Sequence, residues 1–192
     1  MKIHMVGINH NTAPVAIREK AAVRPGKLDE VLQSLRAHVP HSVILSTCNR
    51  TEIYSVRNGD DRPASLEFLR SCVNASEESL RQHTYILEDE AAAEHLFRTA
   101  CGLDSMILGE YEILGQIKQA LEVAEKSGMV NLPLRRVFQN AISTGRRVRE
   151  ETGISKNAFS VSSVAVDLAS RAIGNLGDSK LLVIGPGKPA GW

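Results

Sequence analysis

The sequence predicts an α+β protein, and three observations carry that prediction. Short β-like apolar runs alternate with helical stretches up to about residue 88. Beyond that point apolar residues recur at helical spacing. Near the end, one further apolar run leads into a glycine-rich turn of the kind that opens a nucleotide-binding fold.

Lys2 to Asn9 reads as the first strand, with Ile3, Met5 and Ile8 facing inward. Thr12-Ala13-Pro14 starts a helix, because proline suits the first helical position. That helix is expected to reach about Val23, where Pro25-Gly26 breaks it. Leu28, Val31, Leu32 and Leu35 mark a second helix. Val43-Ile44-Leu45 and Ile53-Tyr54-Ser55-Val56 flank a polar stretch and read as two strands meeting at a turn. Asn58-Gly59-Asp60-Asp61 is a turn or loop. Leu66 to Val73 is helical, Ser76-Glu77-Glu78 opens a short helix, and Tyr85-Ile86-Leu87 is a last strand. This order is compatible with a ferredoxin-like sheet.

From Glu88 onward the pattern is helical. Ala92, Leu96 and Ala100 line one helix, ended by Gly102. Ile113, Leu114, Ile117, Leu121 and Ala124 line a second, ended by Ser127-Gly128. Leu134, Val137, Phe138, Ala141, Ile142 and Val148 line a third, ended near Gly153. Such stripes are core packing before they are anything functional. A Ser155-Lys156-Asn157 break precedes a fourth helix over Val161 to Ile173. The domain boundary is placed there, giving a domain 1–155 and a segment 156–192.

In that segment Lys180-Leu181-Leu182-Val183-Ile184 reads as a buried strand, followed by Gly185-Pro186-Gly187-Lys188-Pro189-Ala190. The spacing is G-x-G-x-x-A, in which glycines let backbone approach a pyrophosphate. Gly185 and Gly187 are the candidate cofactor contacts of an incomplete Rossmann domain. The motif needs a helix, another strand and a ribose-binding residue further on, and the 192 residues stop before them. Pro189 also removes a backbone donor.

Composition excludes several classes of function. A net charge of +1 gives no strong electrostatic footprint for nucleic acid. Cys48, Cys72 and Cys101 are odd in number and lack C-x-x-C spacing, which argues against a disulfide framework or a zinc site. His4, His38, His41 and His83 form no metal-binding pair. No signal peptide opens the chain and no apolar run is long enough to span a bilayer, so a reducing cytoplasm is the expected compartment.

Chemistry concentrates in Ser46-Thr47-Cys48-Asn49-Arg50-Thr51-Glu52. A cysteine at a strand end, with a guanidinium two residues on, sits where a cation can favour the reactive thiolate. The competing reading is a buried structural cysteine. Arg50 can offer a planar fork to a carboxylate, or it can be a surface or capping arginine. His95 lies on the flank of its helix and could move a proton or simply be a satisfied histidine. Ser105 falls in a loop after Gly102, and His10 closes the first strand as either a turn residue or a site residue. Cys72 and Cys101 lie in helical apolar patterns and read as inert. Arg135-Arg136 and Arg146-Arg147-Arg149 form a basic side, read as a solvated face or as a phosphate contact.

The run Leu45-Ser46-Thr47-Cys48-Asn49-Arg50-Thr51-Glu52-Ile53-Tyr54 resembles the active-site motif of glutamyl-tRNA reductases. Further stretches match in the same order: Val6-Gly7-Ile8-Asn9-His10 with Thr12-Ala13-Pro14, His95-Leu96-Phe97-Arg98 through Gly102-Leu103-Asp104-Ser105 and Gly109-Glu110, and Arg146 through Gly153. Departures are Asn11, where a lysine is common, and Tyr111-Glu112, where Pro-Gln is frequent.

The resemblance implies a ferredoxin-like catalytic domain in which Cys48 attacks glutamyl-tRNA to form a thioester. NADPH would then reduce it to glutamate-1-semialdehyde, the first step toward tetrapyrroles. It further implies that Cys48 and His95 are catalytic, that Arg50 holds the glutamate side chain, and that Thr47, Ser105, Glu110 and Gln116 contact substrate. Family members are homodimers, with possible channelling to glutamate-1-semialdehyde aminomutase. The nucleotide domain is cut short and the dimerisation region absent from these residues, so the chain by itself is expected to keep acyl transfer or esterase activity and not to bind NADPH. The alternatives are a non-catalytic tRNA-binding or regulatory fragment and a generic nucleotide-binding protein.

Overall fold

The computed structural model describes residues 2–57, 62–73, 77–155, 161–178, 180 and 182. The chain divides into two compact units, Met1–Ala158 and Phe159–Trp192.

In the first unit the strands are β1 (Lys2–Asn9), β2 (Ser42–Ser46), β3 (Arg50–Arg57) and β4 (Tyr85–Glu88). The helices are α1 (Val15–Ala21), α2 (Leu28–Leu35), α3 (Arg62–Val73), α4 (Glu77–His83), α5 (Asp89–Cys101), α6 (Glu112–Lys126) and α7 (Leu132–Thr152). The strands form one sheet in the order β2-β3-β1-β4, with every neighbouring pair antiparallel. The mixed α/β reading therefore holds.

Two local expectations are corrected. Pro14 is the N-cap residue of α1 rather than its first helical residue, and the helix ends at Ala21, short of Val23. Inward-facing residues do not alternate along β1: His4 to Asn9 are all buried, whereas Ile3 is half-buried. The reason is position, because a central strand covered on both faces has no solvent side. Helices α3 and α5 both pack on β1.

Successive residues of β3 show what each face meets. Tyr54 is fully buried, edge-on against Phe138 of α7 with ring centroids 5.3 Å apart. Thr51, on the opposite face, donates from Oγ1 to the Ala21 carbonyl at the end of α1 (3.2 Å). The main core joins Met5, Leu32, Ile44, Leu96, Ile117 and Phe138, among others. Burying each such side chain stabilises the fold by about 1.5–3 kcal/mol. Ile8, Ala13 and Ala21 make a smaller cluster where α1 meets the sheet.

Helices end where local chemistry allows. Gly102 and Gly153 take left-handed φ values of 77° and 65° after α5 and α7, a conformation that glycine adopts without the Cβ penalty. Asn131 caps α7 by accepting from the Leu134 amide at 3.0 Å.

Gly7 is needed for a different reason. It sits opposite Glu52 in the β1–β3 register, and a Cβ there would lie 2.8 Å from Glu52 Cγ and 3.0 Å from the Thr51 carbonyl oxygen. Gly7→Ala is expected to cost about 1–3 kcal/mol, the range of core overpacking. A urea midpoint equal to wild type would show that the strands can separate freely.

The second unit contains α8 (Val161–Ile173) and a short 3-10 turn, Leu176–Asp178. The Gly185 and Gly187 motif lies outside the described residues, as do most of the preceding strand and Asn58-Gly59-Asp60-Asp61. Among the described residues, no helix is long and apolar enough to cross a membrane.

Candidate active site

Three residues, Thr47-Cys48-Asn49, join β2 to β3, and Thr47 builds the turn. Its amide donates to the Arg50 carbonyl at 2.8 Å, and its Oγ1 accepts from the amides of Asn49 (3.1 Å) and Arg50 (3.2 Å). This side-chain-to-backbone closure is a common use of threonine at a turn. Ser46 Oγ accepts from the Val23 amide at 2.8 Å and so ties the hairpin to the segment after α1. Cys48 is exposed at the apex. It lines a cleft of about 270 Å³ together with Val23, Leu28, Ile44, Ser46, Thr47, Gln116, Gln119 and Ala120. Thr47, Cys48 and Gln116, three of the predicted site residues, therefore share one cavity.

The electrostatic expectation for Cys48 is overturned. Desolvation by the surrounding protein and the Glu110 carboxylate push its thiol up, Glu112 adds to the rise, and a backbone hydrogen bond and Arg18 oppose it. Arg50, the cation expected beside it, is only 2% exposed. As the first residue of β3, Arg50 turns into the protein toward α5.

There Arg50 meets a buried polar network. Its Nη1 donates to Glu52 Oε1 (2.8 Å) and Thr99 Oγ1 (3.1 Å), and its Nη2 donates to the Asp104 carbonyl (2.6 Å). Glu52 is fully buried and also accepts from Tyr54 Oη (2.7 Å) and Tyr85 Oη (2.5 Å), with His95 Nε2 at 2.9 Å. Burial alone would push the Glu52 carboxyl up. Its hydrogen bonds and the Arg50 and His95 charges outweigh that and hold it at about 2.

The sign of the pH dependence follows. A carboxyl held below its ordinary value stabilises the fold above that value and loses the increment as pH falls through the folded one. Between pH 4.5 and about 2, Glu52 should forfeit roughly 3 kcal/mol. The check is urea denaturation across that window, where Glu52→Gln should show the shallower pH dependence. Parallel curves for the two proteins would remove Glu52 as the source.

His95 is placed between two carboxylates, with Nδ1 3.6 Å from Asp104 Oδ2, and its ring stands edge-on to Tyr85 at 5.5 Å. Asp104 also takes the side chain of Arg98. Ser105 Oγ, next in sequence, is buried with no hydrogen-bond partner, as are His10 Nδ1 and Arg18 Nε. Unsatisfied buried polar atoms are uncommon, and each calls for an explanation. Burial and the charges of Arg50 and Arg18 lower the His10 imidazole, while Asp104 and Glu110 raise it. The Glu110 charge acts on both His10 and Cys48.

The loop bearing Ser105 and Glu110 is clamped by Arg149. Its Nη1 donates to the carbonyls of Ala100 (2.5 Å) and Gly145 (2.8 Å), and its Nη2 donates to that of Glu110 (3.0 Å). This corrects the reading of Arg149 as part of a solvated or phosphate-binding face. Arg135 pairs with Glu125 at 2.7 Å, and Arg147 pairs with Glu151 at 3.7 Å. Burial pushes the thiols of Cys72 and Cys101 up. Among the described residues, no group of three His, Cys, Asp or Glu side chains could hold a metal ion.

Sequence reasoning missed Glu52, Asp104 and Arg18 as parts of the site. Glu52 was visible as a carboxylate two residues beyond an arginine on the same strand face. Arg18 carried no signal beyond its charge.

A model of the family described as "Glutamyl-tRNAGlu reductase, N-terminal domain" matches residues 6–152. The chain is 45% identical over 191 residues to a glutamyl-tRNA reductase of Desulforudis audaxviator, covering 98% of this chain and 43% of that protein. It is 41% identical over 186 residues to one from Deinococcus radiodurans, covering 97% and 51%. The solved glutamyl-tRNA reductase from Methanopyrus kandleri matches with a TM-score of 0.66 and 36% identity, over 90% of this chain and 40% of that one. The chain spans about half the length of the curated relatives it matches.

Proposed function

The chain belongs to the glutamyl-tRNA reductase family, and on that premise we propose that it carries the acyl-transfer site of an enzyme of tetrapyrrole synthesis. The observation that carries this reading is the exposed Cys48 at the apex of a hydrogen-bonded turn, on the wall of a cleft. The Cys48 thiolate attacks the ester carbonyl of glutamyl-tRNA. A carbon–sulfur bond forms, the carbon–oxygen bond to the ribose breaks, and the departing oxygen takes up a proton. Sulfur suits this step because a thiolate is a strong nucleophile and the resulting thioester divides a hard reaction in two.

Arg50 supplies positive charge for the substrate's side-chain carboxylate from beneath the site, held in place by Glu52. His95, anchored by Glu52, handles the proton at the leaving oxygen. Ser105 meets the glutamyl group with its unpartnered hydroxyl, and Thr47, Glu110 and Gln116 line the approach. NADPH is the proposed reductant and supplies hydride for release of the semialdehyde; its candidate contacts, Gly185 and Gly187, lie outside the described residues. Homodimerisation, transfer of product to glutamate-1-semialdehyde aminomutase and a cytoplasmic location belong to the same reading. The sheet order also supports a ferredoxin-like description of the domain.

The test is incubation with glutamyl-tRNA followed by mass spectrometry of the digested protein. A glutamyl adduct is expected on the peptide containing Cys48. An adduct confined to Cys72 or Cys101, or none at all, would overturn the assignment and leave a tRNA-binding role.

A further inference from the structure

We propose that Arg18 is the positioning residue of the Cys48 turn, holding the neighbouring Asn49 and bringing a positive charge to the turn. This rests on the reading of Cys48 as the nucleophile, and it replaces the role first expected of Arg50.

The guanidinium groups of Arg50 and Arg18 differ in their commitments. Both terminal nitrogens of Arg50 are bonded inside the protein, to Glu52, Thr99 and the Asp104 carbonyl. Arg18, half-buried on α1, donates from Nη1 to Asn49 Oδ1 at 3.1 Å. Its Nε is buried with no partner, so this fork is not fully spent on internal bonds. Asn49 directly follows Cys48, and its amide is fixed by Thr47 Oγ1. Arg18 thus holds the Asn49 side chain while Thr47 holds the Asn49 amide.

The charges around the thiol favour the same assignment. Glu110, in the loop before α6, and Glu112, the first residue of α6, both oppose a thiolate. Arg18, from α1, is the cation that acts against them. A cation beside a cysteine raises the fraction of thiolate at a given pH. Removing it leaves the backbone hydrogen bond alone to oppose burial and the two carboxylates.

The test uses the full chain and a small alkylating reagent, iodoacetamide, without tRNA, reading the Cys48 peptide by mass spectrometry as a function of pH. Arg18→Gln should move the alkylation midpoint upward and slow modification near neutral pH by about 2- to 3-fold, a whole pKa unit being a tenfold change in thiolate. Arg18→Lys should restore most of the midpoint, since it keeps the charge. Asn49→Ala should slow alkylation with a smaller midpoint shift, because it removes the tether and leaves the cation. Protection of the buried Cys101 reports whether each variant is folded; if Arg18→Gln is not, the Lys and Asn49→Ala variants decide. A wild-type midpoint in Arg18→Gln, or Arg18→Lys behaving like a neutral substitution, would overturn the proposal. Because glutamyl-tRNA is absent, a Cys48 that is not the nucleophile would still give a clear answer here, so the two failures are distinguishable.

Discussion

Cys48→Ser is expected to abolish covalent capture of glutamate while leaving the fold unchanged. Cys48 is exposed at a turn whose hydrogen bonds come from Thr47 and backbone groups rather than from the thiol, so the substitution removes no packing. A serine hydroxyl needs a base within hydrogen-bond reach to act as a nucleophile, whereas a thiol reaches its anion with little help. His95, the histidine assigned to the leaving oxygen, is bonded to Glu52. Adduct formation should fall by on the order of 10³-fold or more, the scale seen when a nucleophile is removed. Mass spectrometry reads the adduct and a urea curve reads the fold. Undiminished labelling in a folded Cys48→Ser protein would exclude this residue as the nucleophile.

Glu52→Ala should have a different profile, a large loss of stability, with capture of glutamate weakened through Arg50 and His95 while the Cys48 thiol still reacts with a small alkylating reagent in whatever fraction stays folded. The substitution strands the Arg50 guanidinium at 2% exposure without its carboxylate and takes the acceptor from both Tyr54 and Tyr85. Removing one partner of a buried pair costs about 3–5 kcal/mol, because the remaining charge stays desolvated. That is a large part of the 5–15 kcal/mol by which domains are typically stable. A loss under about 1 kcal/mol would mean that water reaches Arg50 and replaces the carboxylate. Glu52→Gln keeps an acceptor for the tyrosines and should fall between the two.

The helices were legible because their apolar spacing is local. Ile113, Ile117, Leu121 and Ala124 recur at helical intervals and are buried together, and Gly102 and Gly153 mark ends that adopt positive φ. The strand pair around Cys48 was legible for the same reason, two short apolar runs with a polar turn between them. What could not be read was which strands lie at the centre. β1 is central because β3 and β4 pair with its two edges, joining residues about 50 and 80 positions apart, and α3 and α5 pack on it. Sequence placed Cys48 and Arg50 two residues from each other and treated them as one electrostatic unit. The tertiary structure separates them: Arg50 is drawn to Thr99 and Asp104, 49 and 54 positions away, and the charges that act on the thiol are those of Glu110, Glu112 and Arg18. A motif specifies which groups are present, but the charge each one feels depends on the desolvated neighbours that folding brings to it from elsewhere in the chain.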